Sequence, residues 1–362
     1  SRGLGDVYKR QAMDSFGLFM RYMNDEYKPL PSSIIAEGID CFGVAGDRGD
    51  VAMVGYGAAR YALASGNCNE AEKLWPLIEW CLEYCHRQLN ADGVVKSDSD
   101  ELENRFPAGK ANLCTSSLYY DALVSAAYLG KALKKEHKQI KSYQDRAAEL
   151  YKNIDAYFAR NVEGYDTYRY YDGNTVLRSW ICIPLTMGIY DQAKGTVEAL
   201  FSDKLWMENG LLTQSGTSTY WDRSTLYAFR GAYSCGARDI ATEYLDKYSA
   251  TRLLGDHVPY AVEAWPEGNQ RHLSTESALY CRIMTEGLFG IRPIALDAFM
   301  MTPQLPESWN TMSLKRICAF GSIFDIEVKR DKDDKLLVLI KKDHKIVKRS
   351  KITNGKPIEV RI

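Results

Sequence analysis

Short and long connections alternate between the helical segments of this chain, and this alternation limits the folds open to it. Apolar residues recur with helical spacing in segments that fall into pairs. The pairs are 48–65 with 70–90, 112–135 with 139–161, 175–189 with 191–202, and 223–236 with 238–249. Within a pair the connection is short, such as GNCN at 66–69, as expected for antiparallel neighbouring helices. Each pair is therefore predicted to form a helical hairpin.

The connections between hairpins are long. They cover 40–47, 92–112, 164–174, 208–223 and 254–272. Strict alternation places all of these loops on one side of the array, and loops of this length in a compact domain are usually functional. Further helices are predicted at about 14–27 and at 274–288. The sequence therefore predicts a mainly α fold, an (α/α)6 toroid of helical hairpins.

The region after Pro293 has a different pattern. Helical periodicity gives way to alternating apolar and polar residues at 321–329, 335–340 and 345–351, with DKDD, DH and NGK as turns. We predict a small antiparallel β cap over 313–362, following a toroid over 12–312.

The first residues raise a separate expectation. Ser1–Gln11, SRGLGDVYKRQ, resemble the translated sequence of a transposase adapter used in DNA sequencing libraries, and we expect them to make no packed contacts. Four hairpins and a fifth inner helix fall short of six hairpins, which favours a toroid truncated at its N-terminus. The sequence leaves the localisation open between cytoplasm and periplasm.

The composition of the chain indicates which kinds of molecule it binds. With 46 basic and 47 acidic residues the net charge is −1, which argues against a nucleic-acid-binding surface. No apolar run approaches the ~18–20 residues needed for membrane insertion. Nine cysteines are scattered without paired CxxC spacing, so we expect mostly buried thiols, Cys81 and Cys85 among them, and neither a metal site nor an organic cofactor. Aromatic residues in the long loops, beside carboxylates, favour an oligosaccharide or glycan as partner, while the oligomeric state is not predicted.

The loop at 92–112 contains the candidate general acid. Inverting cleavage of a glycosidic bond needs a proton donor and a base about 6.5–9.5 Å apart. Glu101 lies close in sequence to Asp98, Asp100 and Glu103, where crowding of like charges raises the pKa of at least one carboxyl, as a general acid requires. Glu103 is the alternate acid. A solvated acidic loop or a set of helix-capping carboxylates is the structural alternative.

The loop at 254–272 contains the candidate base. Glu263 and Glu267 flank Trp265 and Pro266, a rigid aromatic corner that suits a carboxylate held against a sugar ring. Glu263 is the predicted base and Glu267 the alternate, since Glu267 is closer to the next helix and is equally suited to a cap or the surface. Glu276, inside the helical pattern, is predicted to be structural.

Other residues of these loops are candidate substrate contacts, because charged groups hydrogen-bond adjacent sugar hydroxyls and flat rings stack on sugar faces. They are Asp47, Arg48, Asp50, Arg105, Trp180, Tyr220, Trp221, Asp222, Arg223, Trp265, Arg271 and His272. The structural alternatives are an internal salt bridge between Asp47 and Arg48, and core positions for the tryptophans.

Several stretches carry a resemblance to a known superfamily. TEGLFGIRPIALDAFMMTPQLPESW with FGSIFDIEV is similar to the end of its toroids, and SDSDELENRF with ANLCTSSLYYDALVSAAYL resembles its acid-bearing loop and the inner helix that follows. STYWDRSTLYAFRGAYSCG resembles a Tyr-Trp-Arg-Gly loop, with Asp222 intervening, and VEAWPEGNQRHLSTESALYCR resembles a Glu-x-Tyr-x-Pro-x-x-Gly loop. The superfamily is that of the six-hairpin glycosidases, which includes glucoamylase, maltose and cellobiose phosphorylases, α-L-rhamnosidase and processing α-glucosidases. The resemblance implies an (α/α)6 toroid and an inverting, exo-acting glycoside hydrolase, with Glu101 as acid and Glu263 as base.

Three other functions fit parts of the same loops. Arg271 and His272 lead into a helix that begins near Ser274, and a helix N-terminus favours an anion, so phosphate would replace water there in a glycoside phosphorylase. A non-catalytic carbohydrate-binding toroid would keep the aromatic loops. A polysaccharide lyase would need a base such as Tyr260 with His257.

Overall fold

The helices of this chain alternate between two layers. The structure is a computed structural model that describes residues 4–31, 33–34, 41–42, 46–102, 105–252, 264–265 and 274–362. In chain order its helices are α1 (Leu4–Met20), α2 (Asp50–Ser65), α3 (Cys68–Arg87), α4 (Leu113–Ala132), α5 (His137–Phe158), α6 (Ile183–Met187), α7 (Ala193–Leu200), α8 (Asp222–Ser234), α9 (Arg238–Arg252) and α10 (Ser274–Arg282). A 3₁₀ turn, Ser179–Cys182, leads into α6, and a π-helical turn, Ile283–Leu288, extends α10.

The even-numbered helices form the inner layer. Along it α2 contacts α4, α4 contacts α6, α6 contacts α8, and α8 contacts α10, while α3, α5 and α9 pack against α2, α4 and α8. In α4, small residues such as Ser117, Ala122 and Ala126 are buried on every side of the helix. A Cβ added at Gly130 would lie only 3.0 Å from the Trp75 ring. Small side chains therefore let the inner helices approach closely from several directions.

The outer helices bury one face. In α5 the buried positions are Ile140, Tyr143, Ala147, Leu150 and Ile154, which follow the spacing of a single apolar stripe. The opposite face of α5 is charged and exposed, so the outer layer covers the inner one and faces solvent.

Short antiparallel strand pairs lie in the connections. They are β1 (Ser33–Ile34) with β2 (Cys41–Phe42), β3 (Ala159–Val162) with β4 (Tyr165–Tyr168), β5 (Trp206–Met207) with β6 (Gly210–Leu211), and β7 (Tyr220–Trp221) with β8 (Ala264–Trp265). The last pair joins two different long loops, and it therefore holds parts of both side by side.

Two antiparallel sheets follow the π-helical turn. Their strands are β9 (Ile291–Ala295), β10 (Ala298–Met301), β11 (Thr311–Ala319), β12 (Ser322–Arg330), β13 (Leu336–Lys342), β14 (Lys345–Ile352) and β15 (Ile358–Arg361). One sheet has the order β15–β10–β9 and the other β11–β12–β13–β14. Phe299 of the first sheet stacks on Phe320 and Phe324, with ring centroids 5.1 and 5.6 Å apart. These rings form the core between the sheets.

The cap is attached to the toroid at the end of α2. The amides of Phe320 and Gly321 donate to the carbonyls of Ala64 and Ser65, at 2.7 and 3.2 Å. Gly66 ends α2 with a φ of +68°, and a Cβ there would lie 2.3 Å from the Gly321 nitrogen. Only glycine combines this left-handed conformation with so close a backbone approach.

The predicted hairpins and β cap are confirmed. One helix differs, because the segment predicted over 175–189 is a 3₁₀ turn followed by the short α6. Pro184 has no amide hydrogen and is best accommodated in the first turn of a helix, which is its position in α6. The boundaries predicted for the two domains remain predictions.

The first residues that the structure describes belong to a helix. Helix α1 begins at Leu4, earlier than the predicted start near residue 14. Phe16 packs against Tyr61, with 5.7 Å between ring centroids, and the Tyr61 hydroxyl donates to the Lys9 carbonyl at 3.2 Å. Phe16 lies outside Ser1–Gln11, and within that segment Arg10 and Gln11 are exposed. The interpretation of Ser1–Gln11 as adapter sequence without packed contacts stays a prediction.

The expectation for the cysteines also needs correction. Cys81 and Cys85 are buried as predicted, but Cys68, Cys281 and Cys318 are exposed. Cys68 is the first residue of α3, and Cys318 lies on β11, an edge strand, so both are at borders of the fold rather than in its core.

Candidate active site

The long loops meet at the end of the inner layer where the even-numbered helices begin, which we call the loop end. Asp98 donates its amide to the Asp47 carbonyl at 2.8 Å, which joins the first two long loops. Backbone bridges then join Asn112 to Tyr171 and Arg178 to Gln214, and β7 pairs with β8. Described parts of all five long loops are thus connected around one end of the toroid, as the alternation of connections predicted.

Arg223 brings two carboxylates together at the loop end. Its Nη1 donates to Glu101 Oε1, and its Nε donates to Glu276 Oε1 at 2.7 Å. The Glu276 side chain is fully buried, whereas one third of the Glu101 side chain is exposed. The second oxygen of Glu276 has no hydrogen-bond partner among the described residues. Glu101 is thus the carboxyl of this group that a ligand can reach.

The pKa of the Glu101 carboxyl is raised. Burial raises it, Arg223 opposes the change without reversing it, and Asp50 raises it further through like-charge repulsion. A carboxyl with a raised pKa loses its proton at a higher pH, nearer to neutral. This is the property that a proton donor needs.

Buried ion pairs hold the neighbouring backbone. Arg178 donates to Asp100 at 3.2 Å, and almost none of either side chain is exposed. The other oxygen of Asp100 accepts from the Leu102 amide at 2.9 Å. Because these bonds fix the residues on both sides of Glu101, they orient its carboxyl toward Arg223.

Asp222 has a comparable role in α8. Both of its oxygens accept from Arg252 at 2.9 Å, and the pair is buried. Asp222 was predicted as a substrate contact, but its carboxylate is occupied by Arg252, and we assign it to positioning the start of α8 and hence Arg223.

The GDRGD sequence at 46–50 has one buried charged side chain and two that are partly exposed. Asp47 is buried, and its carboxylate accepts from the Gly49 amide at 2.9 Å. Burial raises the pKa of Asp47 to about 6, with Asp50 adding to the effect. Arg48 pairs with Asp50, not Asp47, at 3.5 Å between Nε and Oδ2. Asp47 therefore shapes the loop, whereas the side chains of Arg48 and Asp50 are partly exposed.

The predicted aromatic platforms are mostly internal. Trp180 and Trp221 are buried and pack edge to face, with ring centroids 4.4 Å apart, and Trp180 also meets Tyr227. Their rings are covered by protein, as in the structural alternative for tryptophan. Tyr220 is half-buried on β7, and Arg105 is exposed in the turn after Glu101.

Several predicted site residues lie outside the described residues. They are Glu103, Glu263, Glu267, Arg271 and His272, together with Tyr260 and His257. The backbone of Trp265 is described, and it pairs with Tyr220 while Ala264 pairs with Trp221. Strand β7 ends directly before α8, so the backbone of its partner β8 lies near the start of α8, where Arg223 is.

Sequence reasoning missed the place of Glu276 at the site. The prediction of a structural glutamate agrees with its burial, but its bond to Arg223 places it beside Glu101. The available signal was its position in the first turn of α10, since the first turns of inner helices converge at the loop end.

Among the residues that the structure describes, no group of three or more His, Cys, Asp or Glu side chains is arranged to hold a metal ion. None of the described helices is both long and apolar enough to cross a membrane.

Solved structures share the architecture of this chain. A sialidase superposes with a TM-score of 0.65 at 13% identity, covering 84% of this chain and 32% of that one. The α-L-rhamnosidase from Dictyoglumus thermophilum gives 0.56 at 12% identity, over 96% and 42% of the two chains. The rhamnosidase from Klebsiella oxytoca with rhamnose bound gives 0.54 at 14%, over 77% and 54%. The chain has the (α/α)6 toroid fold that these structures share.

This likeness concerns the fold alone, because identities are low. The chain spans between about a third and about a half of the length of these three structures. No family model and no curated protein sequence matches the chain.

Proposed function

We propose that the loop end is the active site of a glycoside hydrolase that cleaves an O-glycosidic bond with inversion, acting on the end of an oligosaccharide or glycan. The observation that carries this proposal is Glu101, a partly exposed carboxyl with a raised pKa beside Arg223, at the end where the long loops meet. Glu101 is the general acid, and it donates its proton to the leaving oxygen of the glycosidic bond.

Glu263 is the proposed base that removes a proton from the attacking water. Its neighbour in sequence, Ala264, pairs with Trp221, two residues before Arg223, which supports a position for this loop on the same side as Glu101. Arg48, Asp50 and Tyr220 are proposed to bind sugar hydroxyls around the acid.

The position of Glu276 favours water over phosphate as nucleophile. A phosphorylase needs an anion-binding site, and the N-terminus of α10 was the candidate. The first turn of α10 already contains the carboxylate of Glu276, which lies fully buried there. A buried negative charge at a helix N-terminus uses the favourable dipole and repels a second anion.

A panel of aryl glycosides, assayed with and without inorganic phosphate, tests the proposal. We expect release of free sugar without phosphate, and an inverted anomeric configuration by NMR immediately after cleavage. Glu263→Gln should lower turnover strongly, and His272→Ala only modestly. Turnover only with phosphate, yielding a sugar phosphate and sensitive to His272→Ala but not to Glu263→Gln, would show a phosphorylase. Oligosaccharide binding without turnover of any glycoside would show a non-catalytic toroid.

A further inference from the structure

A second site lies at the opposite end of the inner helices, which we call the basal end. There a cavity of about 570 Å³ opens between the toroid and the β cap. We call it the basal cavity, and its charged lining residues are Arg60, Arg230, Arg238, Arg292, Lys356 and Glu286. Hydrogen-bonding neutral side chains, including Gln304, Asn354 and Thr302, complete the lining. The basal cavity is separate from the loop end, because Arg230 lies two turns, or about 10 Å, along α8 from Arg223.

The basal cavity has more positive than negative groups. Glu286 is its one carboxylate among the described residues that line it. Glu286 is bound by Arg282 through bonds of 2.5 and 3.0 Å, and it lies 3.6 and 3.5 Å from Arg60 and Arg230. Asp121, beneath the lining, accepts from Arg60 at 3.0 Å and also from Arg292. Each carboxylate is therefore shared among several arginines.

Arg230 has unused hydrogen-bonding capacity. It is 1% exposed, yet none of its three guanidinium nitrogens has a hydrogen-bond partner among the described residues. Its contacts are the ion pair with Glu286 and the Tyr227 ring, whose centroid is 4.8 Å away. Buried donors are nearly always paired in native proteins, so a group of unpaired donors facing a cavity indicates an acceptor that binds there.

The other buried arginines of this chain show the contrast. Arg252 makes two bonds of 2.9 Å to Asp222, and Arg178 donates to Asp100. Both satisfy a carboxylate within the protein. Arg230 is equally buried and makes no hydrogen bond to a carboxylate among the described residues. Arg238, also in the lining, is half-buried, and its Nε lies 3.8 Å from the Asp239 carboxylate.

We propose that the basal cavity binds the phosphate group of a small molecule, either free phosphate or a phosphorylated sugar. A phosphate accepts hydrogen bonds from several guanidinium groups at once, which matches the guanidinium of Arg230, which makes no hydrogen bond among the described residues, and the positive charges of Arg238, Arg292 and Lys356 in the same lining. The cavity is much larger than one phosphate ion, and its amide and hydroxyl side chains suit the hydroxyls of an attached sugar. The site is independent of the reaction proposed at the loop end.

Isothermal titration calorimetry of the full chain tests this proposal with inorganic phosphate, glucose 6-phosphate and glucose as probes. We expect both phosphate compounds to bind and glucose not to bind at the same concentrations. Tighter binding of glucose 6-phosphate would identify a sugar phosphate as the ligand, and equal affinities would identify the free ion. Affinity should fall as sodium chloride is raised, since the interaction is ionic.

Variants locate the binding. Lys356 is exposed and Arg238 half-buried, so Lys356→Ala and Arg238→Gln should fold normally. We expect about threefold weaker binding for Lys356→Ala and about tenfold for Arg238→Gln, from the loss of one exposed and one partly buried charged donor. Lys332→Ala removes the same charge from an exposed turn of the cap outside the cavity, and it should bind like the wild type. No binding of either phosphate compound, or equal weakening by all three variants, would overturn the proposal.

Discussion

Two glutamates at opposite ends of the inner helices have the same side chain and pKa shifts in opposite directions. At the loop end, Glu101 contacts Arg223 and is near Asp50, and burial leaves its pKa raised. At the basal end, burial alone would raise the pKa of Glu286, but Arg282, Arg230 and Arg60 together hold it well below its usual range. The balance of neighbouring charges therefore decides whether the pKa of a buried carboxyl is raised or lowered.

This difference separates the tasks of the two ends. A carboxyl with a raised pKa can deliver a proton, so the loop end is suited to acid catalysis. A carboxylate surrounded by arginines cannot deliver one, and at the basal end the excess of positive charge favours binding of an anion. We therefore propose that the same pair of residue types serves chemistry at one end and recognition at the other.

Among the substitutions proposed here, the one at Glu101 of the loop end should have the strongest effect. Glu101→Gln removes the proton donor, and kcat should fall by about 10²–10⁴ on a glycoside with a poor leaving group. In the wild type, activity should fall as the pH rises through the pKa of Glu101, because the carboxyl then loses its proton. That limb of the pH profile should be absent in Glu101→Gln.

Glu208→Gln is the matched control, because Glu208 is exposed in a long loop at the same end. It should keep the kcat and pH profile of the wild type. An equal loss of kcat in both variants, or an unchanged kcat in Glu101→Gln, would remove Glu101 from its proposed role.

At the basal end, substitution of Glu286 should lower the stability of the protein. Glu286→Gln leaves Arg60, Arg230 and Arg282 without their shared negative charge, and the free energy of unfolding should fall by about 3–5 kcal/mol. Urea denaturation followed by circular dichroism measures this change. Glu149→Gln, at an exposed position of α5, is the control and should change stability by less than about 0.5 kcal/mol. A similar small change for Glu286→Gln would show that the arginines do not depend on it.

A smaller effect, on the pH dependence of stability, is expected from Asp47, a second carboxyl at the loop end with a raised pKa. Burial raises the pKa of Asp47 to about 6, so the folded state binds a proton that the unfolded state releases at lower pH. Its contribution to stability therefore decreases as the pH rises from about 4 to about 6, and it stays unfavourable above that range. Asp47→Asn keeps an acceptor for the Gly49 amide and should be more stable than the wild type at pH 7.5, by about 1–3 kcal/mol.

Thermal unfolding at several pH values measures the effect of Asp47→Asn. The two proteins should have similar Tm values near pH 3, below both pKa values, where Asp47 is protonated in both states of the wild type. A variant that is less stable than the wild type at pH 7.5 would show that the fold favours the ionised carboxylate.

Local signals in the sequence predict the hairpins and the strands of the cap. The period of apolar residues distinguishes α5, with its single buried stripe, from α4, with small residues on all sides. The turns DKDD and DH separate β12, β13 and β14 at nearly the predicted positions. These features depend on residues close together in the sequence, which is why no tertiary information is needed.

The pairing of charges at the basal end could not be predicted in this way. Arg60 of α2, Asp121 of α4 and Arg230 of α8 are each flanked in their helix by apolar or small residues. Arg60 is separated from Asp121, and Arg230 from Glu286, by more than 50 residues of chain, and only Arg282 is close to Glu286 in sequence. An isolated charge in such a helix indicates an inward-facing group that needs a partner. Which partner it has depends on how the ring of helices closes, and the same holds for Arg223 and Glu276 at the loop end.

The pairing of β10 with β15 has a consequence for the order of folding. Phe299 pairs with Val360 across about 60 residues of chain, whereas β11 to β14 pair as neighbours in sequence. The local hairpins cost little chain entropy to close, and once formed they shorten the path between the two distant strands. Met300 of β10 and Lys356, just before β15, both line the basal cavity. We therefore expect this cavity to be completed late in folding, after the toroid and the local hairpins, so that a partly folded molecule would already have its loop end assembled while the basal end was still open.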